Sequence, residues 1–367
     1  MIVIEEINSY SEALRLKDEW NGLVKKARLN LSLDFDFVMS LWEVHLEKKD
    51  IVLLVAKEEG NVVGIFPLFM SCARVGGVIP VAQVGLLTNL FSLHNDLICE
   101  DKTGEVFSSV LEYMNTRYNK WHEIFIGNVL EESTAYRFFS KSSTANVTMR
   151  RSGADPYIDL KNGFDSYIES RSWSFRRNAK RKAKKLEELG NIQLKEFHEP
   201  RDVAFALEKI NEIENESWKE NAGISIDQNE NQKRFYKSYL EKAALNGNWE
   251  SFFLCVNGEY SAFKLLLTEQ HIANSLKTAY KSKYDHYSLG FLIHLFVIKK
   301  LCERQWKEYD LLTGVTTLKQ ESATGIRNEF SFFIYNSNNI YAKLIYFLKQ
   351  ILTVVRRIKP IGVRRAR

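Results

Sequence analysis

The chain has 367 residues, 45% hydrophobic and 13% aromatic, which is ample for packed cores and long for a single domain. Its net charge is +5, but eight positive charges and no acid fall within residues 341–367, leaving the remainder at −3. That remainder lacks the broad basic field of a protein that wraps DNA or RNA, so sequence-specific nucleic-acid binding is not expected. The cysteines, Cys72, Cys99, Cys255 and Cys302, are scattered and read as buried reduced thiols. His286 and His294 lie eight residues apart across a loop–helix junction, which is not metal-ligand spacing, and no metal is expected.

In chain order, the opening MIVIEEINSY lacks the charged segment and apolar core of a secretory signal. IVLLVAKEEGNVVGIFPLFM predicts two strands around a Glu-Glu-Gly-Asn turn. The longest uncharged run, VGGVIPVAQVGLLTNLFSL, carries Pro80, Gln83, Asn89 and three glycines and reads as strands and loops, not as a membrane span. EVFSSVLEYMNTRYNKWHEIFIGNV predicts a helix and then a strand. RRSGADPYIDLKNGFDSYIES is a connector with turn signals at Gly153–Pro156 and Asn162-Gly163.

Next comes SRSWSFRRNAKRKAKKLEELG, with eight Lys and Arg between Arg171 and Lys185 and no acid among them. Ser172 or Ser174 can cap a helix here, Gly190 can end it, and Ala179, Ala183, Leu186 and Leu189 form its inward stripe. Two more helices are expected, from Pro200 to about Glu220 and from Asn231 to Leu245. SFFLCVNGEYSAFKLLLTEQ predicts a hairpin at Asn257-Gly258, a pair that tolerates positive φ, and HIANSLKTAY a further strand. GFLIHLFVIKKLCERQWKEYDLLTGV then repeats the earlier helix–Trp–strand order. A hairpin followed by helix–Trp–strand, twice in one chain, points to a duplicated α/β domain. The tail IYAKLIYFLKQILTVVRRIKPIGVRRAR has the pattern of a basic amphipathic helix, suited either to a membrane surface or to packing on the body.

Hairpin, strand, a loop ending in glycine, helix and strand resemble the acyl-CoA-binding half of the GNAT acetyltransferase fold. The basic helix opening the second half, Trp218-Lys219, Ser288-Leu289-Gly290, and Asp310-Leu311-Leu312-Thr313-Gly314 followed by Lys319 resemble the CelD/BcsL-like acetyltransferases and, more distantly, the FemAB-like transferases. So do Gly64-Ile65-Phe66-Pro67-Leu68 and Asn95-Asp96 in the first half. Leu289 stands where that family has Pro, and Leu318 where it has an aromatic residue.

The resemblance implies an α/β fold of two tandem GNAT-like domains, residues 1–155 and 156–335, with a basic amphipathic tail over 336–367. It implies acetyl-CoA, or another acyl-CoA, as co-substrate, and no metal. Ser288, Leu289 and Gly290 would hold the pyrophosphate at a helix N-terminus, with Lys281 and Lys283 adding charge. Lys319 would stabilise the oxyanion, Asp310 would act as base or orient the acceptor, and Tyr280 or Tyr284 would protonate the thiolate. Trp218 and Lys219 would line the acceptor side. Arg176 and Arg177 would meet phosphates of coenzyme A, a nucleotide-sugar or a lipid-linked acceptor. Each has a plain structural alternative: a helix cap, a solvated lysine, a backbone-bonded carboxylate or a packed tryptophan.

The activity so implied is direct acyl transfer to an amino or hydroxyl group of a cell-surface glycan or its precursor, as in polysaccharide biosynthesis. The expected location is cytoplasmic, peripheral on the inner membrane face through residues 341–367. No GxSxG elbow or P-loop competes. Two alternatives stay open: aminoacyl-tRNA-dependent transfer in cell-wall synthesis, and a non-catalytic GNAT-like module at the membrane.

Overall fold

The computed structural model describes residues 1–45, 50–90, 93–100, 102–141, 146–314 and 316–358, with the side chains of 89, 90 and 353–358 set aside. In chain order the first elements are β1 (Ile2–Ile7), α1 (Tyr10–Ala13), α2 (Lys17–Lys26), α3 (Phe35–Val44), β2 (Ile51–Glu58), β3 (Asn61–Val75) and β4 (Ile79–Leu86). Then come β5 (Ile98–Cys99), α4 (Thr103–Arg117), β6 (Glu123–Leu130), α5 (Thr134–Phe139) and β7 (Val147–Asp159). The middle of the chain gives α6 (Gly163–Ser170), α7 (Trp173–Glu187), β8 (Ile192–Phe197), α8 (Val203–Asn215), α9 (Trp218–Ala222) and α10 (Glu230–Leu245). The last part gives β9 (Trp249–Val256), β10 (Glu259–Glu269), β11 (Ile272–Tyr280), α11 (Leu289–Glu303), β12 (Glu308–Asp310), α12 (Thr317–Ser322), β13 (Gly325–Tyr335) and α13 (Ile340–Ile358).

The chain forms two compact units. One is Met1–Leu29, His45–Ser152 and Phe330–Arg367; the other is Asn30–Val44 and Gly153–Glu329. These are not two contiguous stretches. The helix α3 lies early in the sequence yet belongs to the second unit. Its ring Phe37 packs edge-on against Phe235 and Tyr239 of α10, at centroid distances of 5.1 and 4.8 Å. Lys242 of α10 also donates to Ser40 and to Glu43 of α3. A helix buried over nine of its ten residues needs such a cover. In the other direction, α13 and the end of β13 belong to the first unit.

The duplication is visible in strand order. The first unit runs β1-β2-β3-β4-β6 and the second β8-β9-β10-β11-β12. In each, the first three pairings are antiparallel and the last is parallel. The parallel step needs a helical crossover, supplied by α4 in one unit and α11 in the other. Both hairpin turns use two residues at positive φ, Glu59-Gly60 and Asn257-Gly258, the geometry that matches strand twist. In the first unit, Val106, Val110 and Met114 of α4 pack with Leu54, Phe66, Leu68 and Ile124. In the second, Leu289, Ile293, Val297 and Leu301 recur every four residues along α11 and pack with Phe252, Leu254 and Leu266.

Three local expectations change. The helix expected from Pro200 to Glu220 breaks, because Ser217 is extended and its hydroxyl accepts the Lys219 N–H, starting α9 afresh. On α7, Phe175 and Leu186 are buried and Ala179 partly so, as is Leu189 just beyond its end, but Ala183 is exposed. Only two cysteines, Cys99 and Cys255, are buried.

The tail forms α13, held by Ile345 against Val75, Val81 and Tyr335, with Ala342 also buried. Its Ile340, Leu344, Phe347 and Ile351 are exposed, one every three or four residues. The basic side chains Arg356, Arg357, Lys359, Arg364, Arg365 and Arg367 lie outside the described residues. Among the described residues no helix is long and apolar enough to cross a membrane.

Candidate active site

The second unit brings its chemistry to α11. β11 ends at Tyr280, and a 3-10 turn over Ser282–Tyr287 leads into the helix. Ser288 occupies the N-cap with φ 57° and ψ 45°, and its side chain makes no capping hydrogen bond. Gly290 is there for space: a Cβ would come within 2.9 Å of the Tyr280 ring. Ser288, Leu289, Gly290 and Tyr280 are therefore together.

The neighbouring lysines are otherwise engaged. Lys281 donates to Glu216 at 2.8 Å and to Glu259 at 2.9 Å. Lys283 donates to Glu259 at 2.7 Å, and the Tyr284 hydroxyl at 3.0 Å. Partial burial would raise the Glu259 carboxyl, but these donors outweigh it and hold it at about 2. Two lysines and one tyrosine thus serve one carboxylate, so Lys281, Lys283 and Tyr284 are bound away from an incoming phosphate. Two cations of α7 approach the loop instead. Lys185 donates to the His286 carbonyl at 2.8 Å and lies 5.1 Å from the Tyr287 ring, and Lys182 lies 4.0 Å from the Phe291 ring.

One turn into α11, on the face that carries Gly290, stands His294. It is 1% exposed, and neither ring nitrogen has a hydrogen-bond partner. Burial, then the charges of Lys264 and Lys319, push its pKa well below the ordinary imidazole value, so the ring is neutral at pH 7. Its ring lies 5.6 Å from that of Tyr309 on β12. Lys264 of β10 is buried too, with Nζ 5.4 Å from the same Tyr309 ring and donating to Ser275 Oγ of β11 at 3.1 Å. Burial, then Lys319, brings its pKa down to about 7.

Lys319 of α12 completes the group. Its Nζ donates to the Leu312 and Thr313 carbonyls at 3.0 and 2.9 Å, leaving one of three N–H groups over. Burial lowers its pKa, opposed by Asp155 and Asp310. Asp310 accepts the Leu312 N–H at 2.7 Å and faces Arg327 at 3.5 Å. Its carboxylate supports the turn at Leu312, which has φ 59°, and that turn offers its carbonyls to Lys319. Lys319 and Asp310 are thus joined through one turn, with Asp310 in a supporting position.

Trp218 and Lys219 part company. Trp218 is 52% exposed, whereas Lys219 is buried and donates to Glu214 at 2.5 Å. Glu214 also accepts the Ile226 N–H and lies 3.6 Å from Lys277. Lys219 is therefore part of a buried ion-pair network. Arg176 and Arg177 line a groove between α6, α7 and α11, with Arg177 5.0 Å from the Trp173 ring.

Lys264, His294, Ser275 and Tyr309 were not expected from the sequence. The signal was there for two of them: Lys264 interrupts the apolar run SAFKLLL and His294 the run LIHLFV. A lone polar residue inside a fully buried element must have a partner or a use.

No curated protein matches the chain. FemX is similar in structure, with TM-score 0.55, 10% identity, and 92% of this chain and 98% of that chain covered. So is the C-terminal DUF2156 domain of an Agrobacterium fabrum protein assigned as a lysylphosphatidylglycerol synthetase, with TM-score 0.54, 11% identity, and 94% and 97% covered. L-PGS from Bacillus licheniformis gives TM-score 0.51, 11% identity, and 91% and 96% covered. At these identities the likeness speaks to the fold alone. Residues 174–320 match the family model of the acetyltransferase (GNAT) domain, and the chain has an α/β fold of tandem GNAT-like units.

Proposed function

We propose that the second unit is an acyl-CoA-dependent acyltransferase acting on an amino or hydroxyl group of a cell-surface glycan or its precursor. One observation carries the reading. Buried Lys264 and His294 and the partly buried Lys319 influence one another's charge close behind Gly290, inside the segment matched by the acetyltransferase family. Buried, unsatisfied or charge-shifted groups cluster where a protein does chemistry. The glycan acceptor and acetyl as the acyl group follow from the resemblance to CelD/BcsL-like enzymes.

In this reading the Leu289 and Gly290 amides and the Ser288 hydroxyl receive the pyrophosphate, with Lys182 and Lys185 nearby, while the Ser288 N–H stays on the Asp285 carbonyl. Lys264 is the general base: at pH 7.5 much of it is the free amine, and it takes the proton of the acceptor N–H or O–H as that atom attacks the thioester carbonyl. The remaining N–H of Lys319 stabilises the oxyanion. Burial, then Asp285, raises the Tyr280 hydroxyl, which keeps its proton until it passes it to the departing thiolate. The acyl–sulfur bond breaks as the acyl–nitrogen or acyl–oxygen bond forms, and both groups re-equilibrate with water. The exposed apolar residues of α13 suit a position on a membrane surface.

The test is transfer of label from radiolabelled acetyl-CoA to nucleotide-sugar and lipid-linked sugar acceptors, with labelled aminoacyl-tRNA as the second donor. Label should move from acetyl-CoA. Transfer from aminoacyl-tRNA alone would replace this reading with the FemAB-like one, and no transfer from either would favour a non-catalytic module.

The rate should also follow Lys264. Below pH 7 the amine is mostly protonated and inactive, so kcat/KM should rise about tenfold from pH 6 to 8 and level off above pH 8. Lys264→Gln should lower it by ~10²–10⁴-fold, the usual worth of a general base, and flatten the profile. A wild-type profile already flat from pH 6 to 8 would remove Lys264 as the base.

A further inference from the structure

Helices α6, α7 and α11 enclose a groove of about 800 Å³, within the ~300–1,000 Å³ usual for ligand pockets. Its lining is mainly apolar: Phe164 and Ile168 of α6, Ala179 and Ala183 of α7, and Leu292 and Phe296 of α11. The exposure of Ala183 now has a reason, since two alanines one turn apart open the space.

The rim is cationic. Arg176, Arg177 and Lys180 come from α7 and Lys299 from α11, with Glu169 the one acid lining the groove. Among the described residues none of the four cations has an ion-pair partner. This is unusual for a surface helix, where acids normally sit three or four residues from bases. Along α7 the spacings Arg176–Lys180 and Arg177–Arg181 instead set like charges one turn apart, which costs a few tenths of a kcal/mol each without an anion. Trp173, 65% exposed, stands on the same rim. An apolar slot under an unpaired cationic rim is complementary to one kind of ligand, a hydrocarbon chain with an anionic head.

We propose that the groove binds the chain of a lipid phosphate, with its head among Arg176, Arg177, Lys180 and Lys299. This gives the acyltransferase reading a lipid-linked acceptor. Its functional meaning rests on that reading, whereas the binding itself does not.

The test uses the full chain and dodecyl phosphate below its micellar concentration, followed by calorimetry. Inorganic phosphate and dodecyl maltoside serve as the head-only and uncharged-chain probes. Dodecyl phosphate should bind one per chain and at least tenfold more tightly than either control. Ala183→Trp, which fills the slot and keeps the rim, should weaken it at least tenfold, and so should Arg177→Glu with Lys180→Glu, which spares the slot. Inorganic phosphate binding as well as dodecyl phosphate would overturn the proposal. So would an unchanged affinity in Ala183→Trp, or tRNA binding tightly to wild type and Ala183→Trp alike. Acetyl-CoA binding measured on the same samples separates the two readings. Loss of acetyl-CoA binding alone counts against the transferase, and loss of dodecyl phosphate binding alone against the groove.

Discussion

Lys264→Met should make the protein more stable while removing its activity. Lys264 sits on an almost fully buried strand, and its pKa falls from 10.5 unfolded to about 7 folded. Between those values the unfolded chain binds more protons, so stability rises with pH from 7 towards 10.5. Below pH 7 the folded state carries the charge and bears the whole penalty. A tenfold change in proton affinity is worth about 1.4 kcal/mol, and replacing buried charges by apolar side chains commonly stabilises by ~1–4 kcal/mol. We expect a gain on the order of 2 kcal/mol at pH 6, or about 5 °C in Tm, shrinking towards pH 10. Thermal unfolding at pH 6, 8 and 10 checks this. A variant less stable than wild type at pH 6 would mean that Lys264 is a structural residue. Stability given up at one buried cation is what a functional site looks like.

The second large effect is Phe37→Ala. Phe37 is fully buried in the second unit between Phe235 and Tyr239 of α10. Removing a buried phenylalanine costs ~3–5 kcal/mol through lost burial and the cavity left behind. Hydrogen exchange should show the loss in α10 and α3, with protection in the β2–β3 hairpin of the first unit kept. Equal loss in both places, or loss in β2–β3 alone, would contradict the assignment of Asn30–Val44 to the second unit.

Much of the fold was legible because its signals are local. Asn257-Gly258 fixes a hairpin through backbone sterics, and the repeated helix–Trp–strand order corresponds to two parallel crossovers, β4–α4–β6 and β11–α11–β12. What escaped depends on distant partners. The FDFVMSLWEV of α3 reads as an ordinary apolar helix, and no pattern within it says that α10, nearly two hundred residues on, will cover it. The site divides the same way. Gly290 and Lys319 were singled out from motif order as candidates, whereas the competition for Lys281, Lys283 and Tyr284 is set by Glu259, which lies across the hairpin. Lys264 and His294 hid because strand and helix periodicity assign such positions to the core.

The central claim, that the N-terminus of α11 receives an acyl-CoA beside a buried transfer site, is tested most directly by calorimetric titration of the purified chain with acetyl-CoA and myristoyl-CoA. The account predicts one molecule bound per chain, weakened at least tenfold in Gly290→Val, whose side chain would collide with the Tyr280 ring, while the fold survives by circular dichroism. No binding of either compound, or binding unchanged in Gly290→Val, would contradict it.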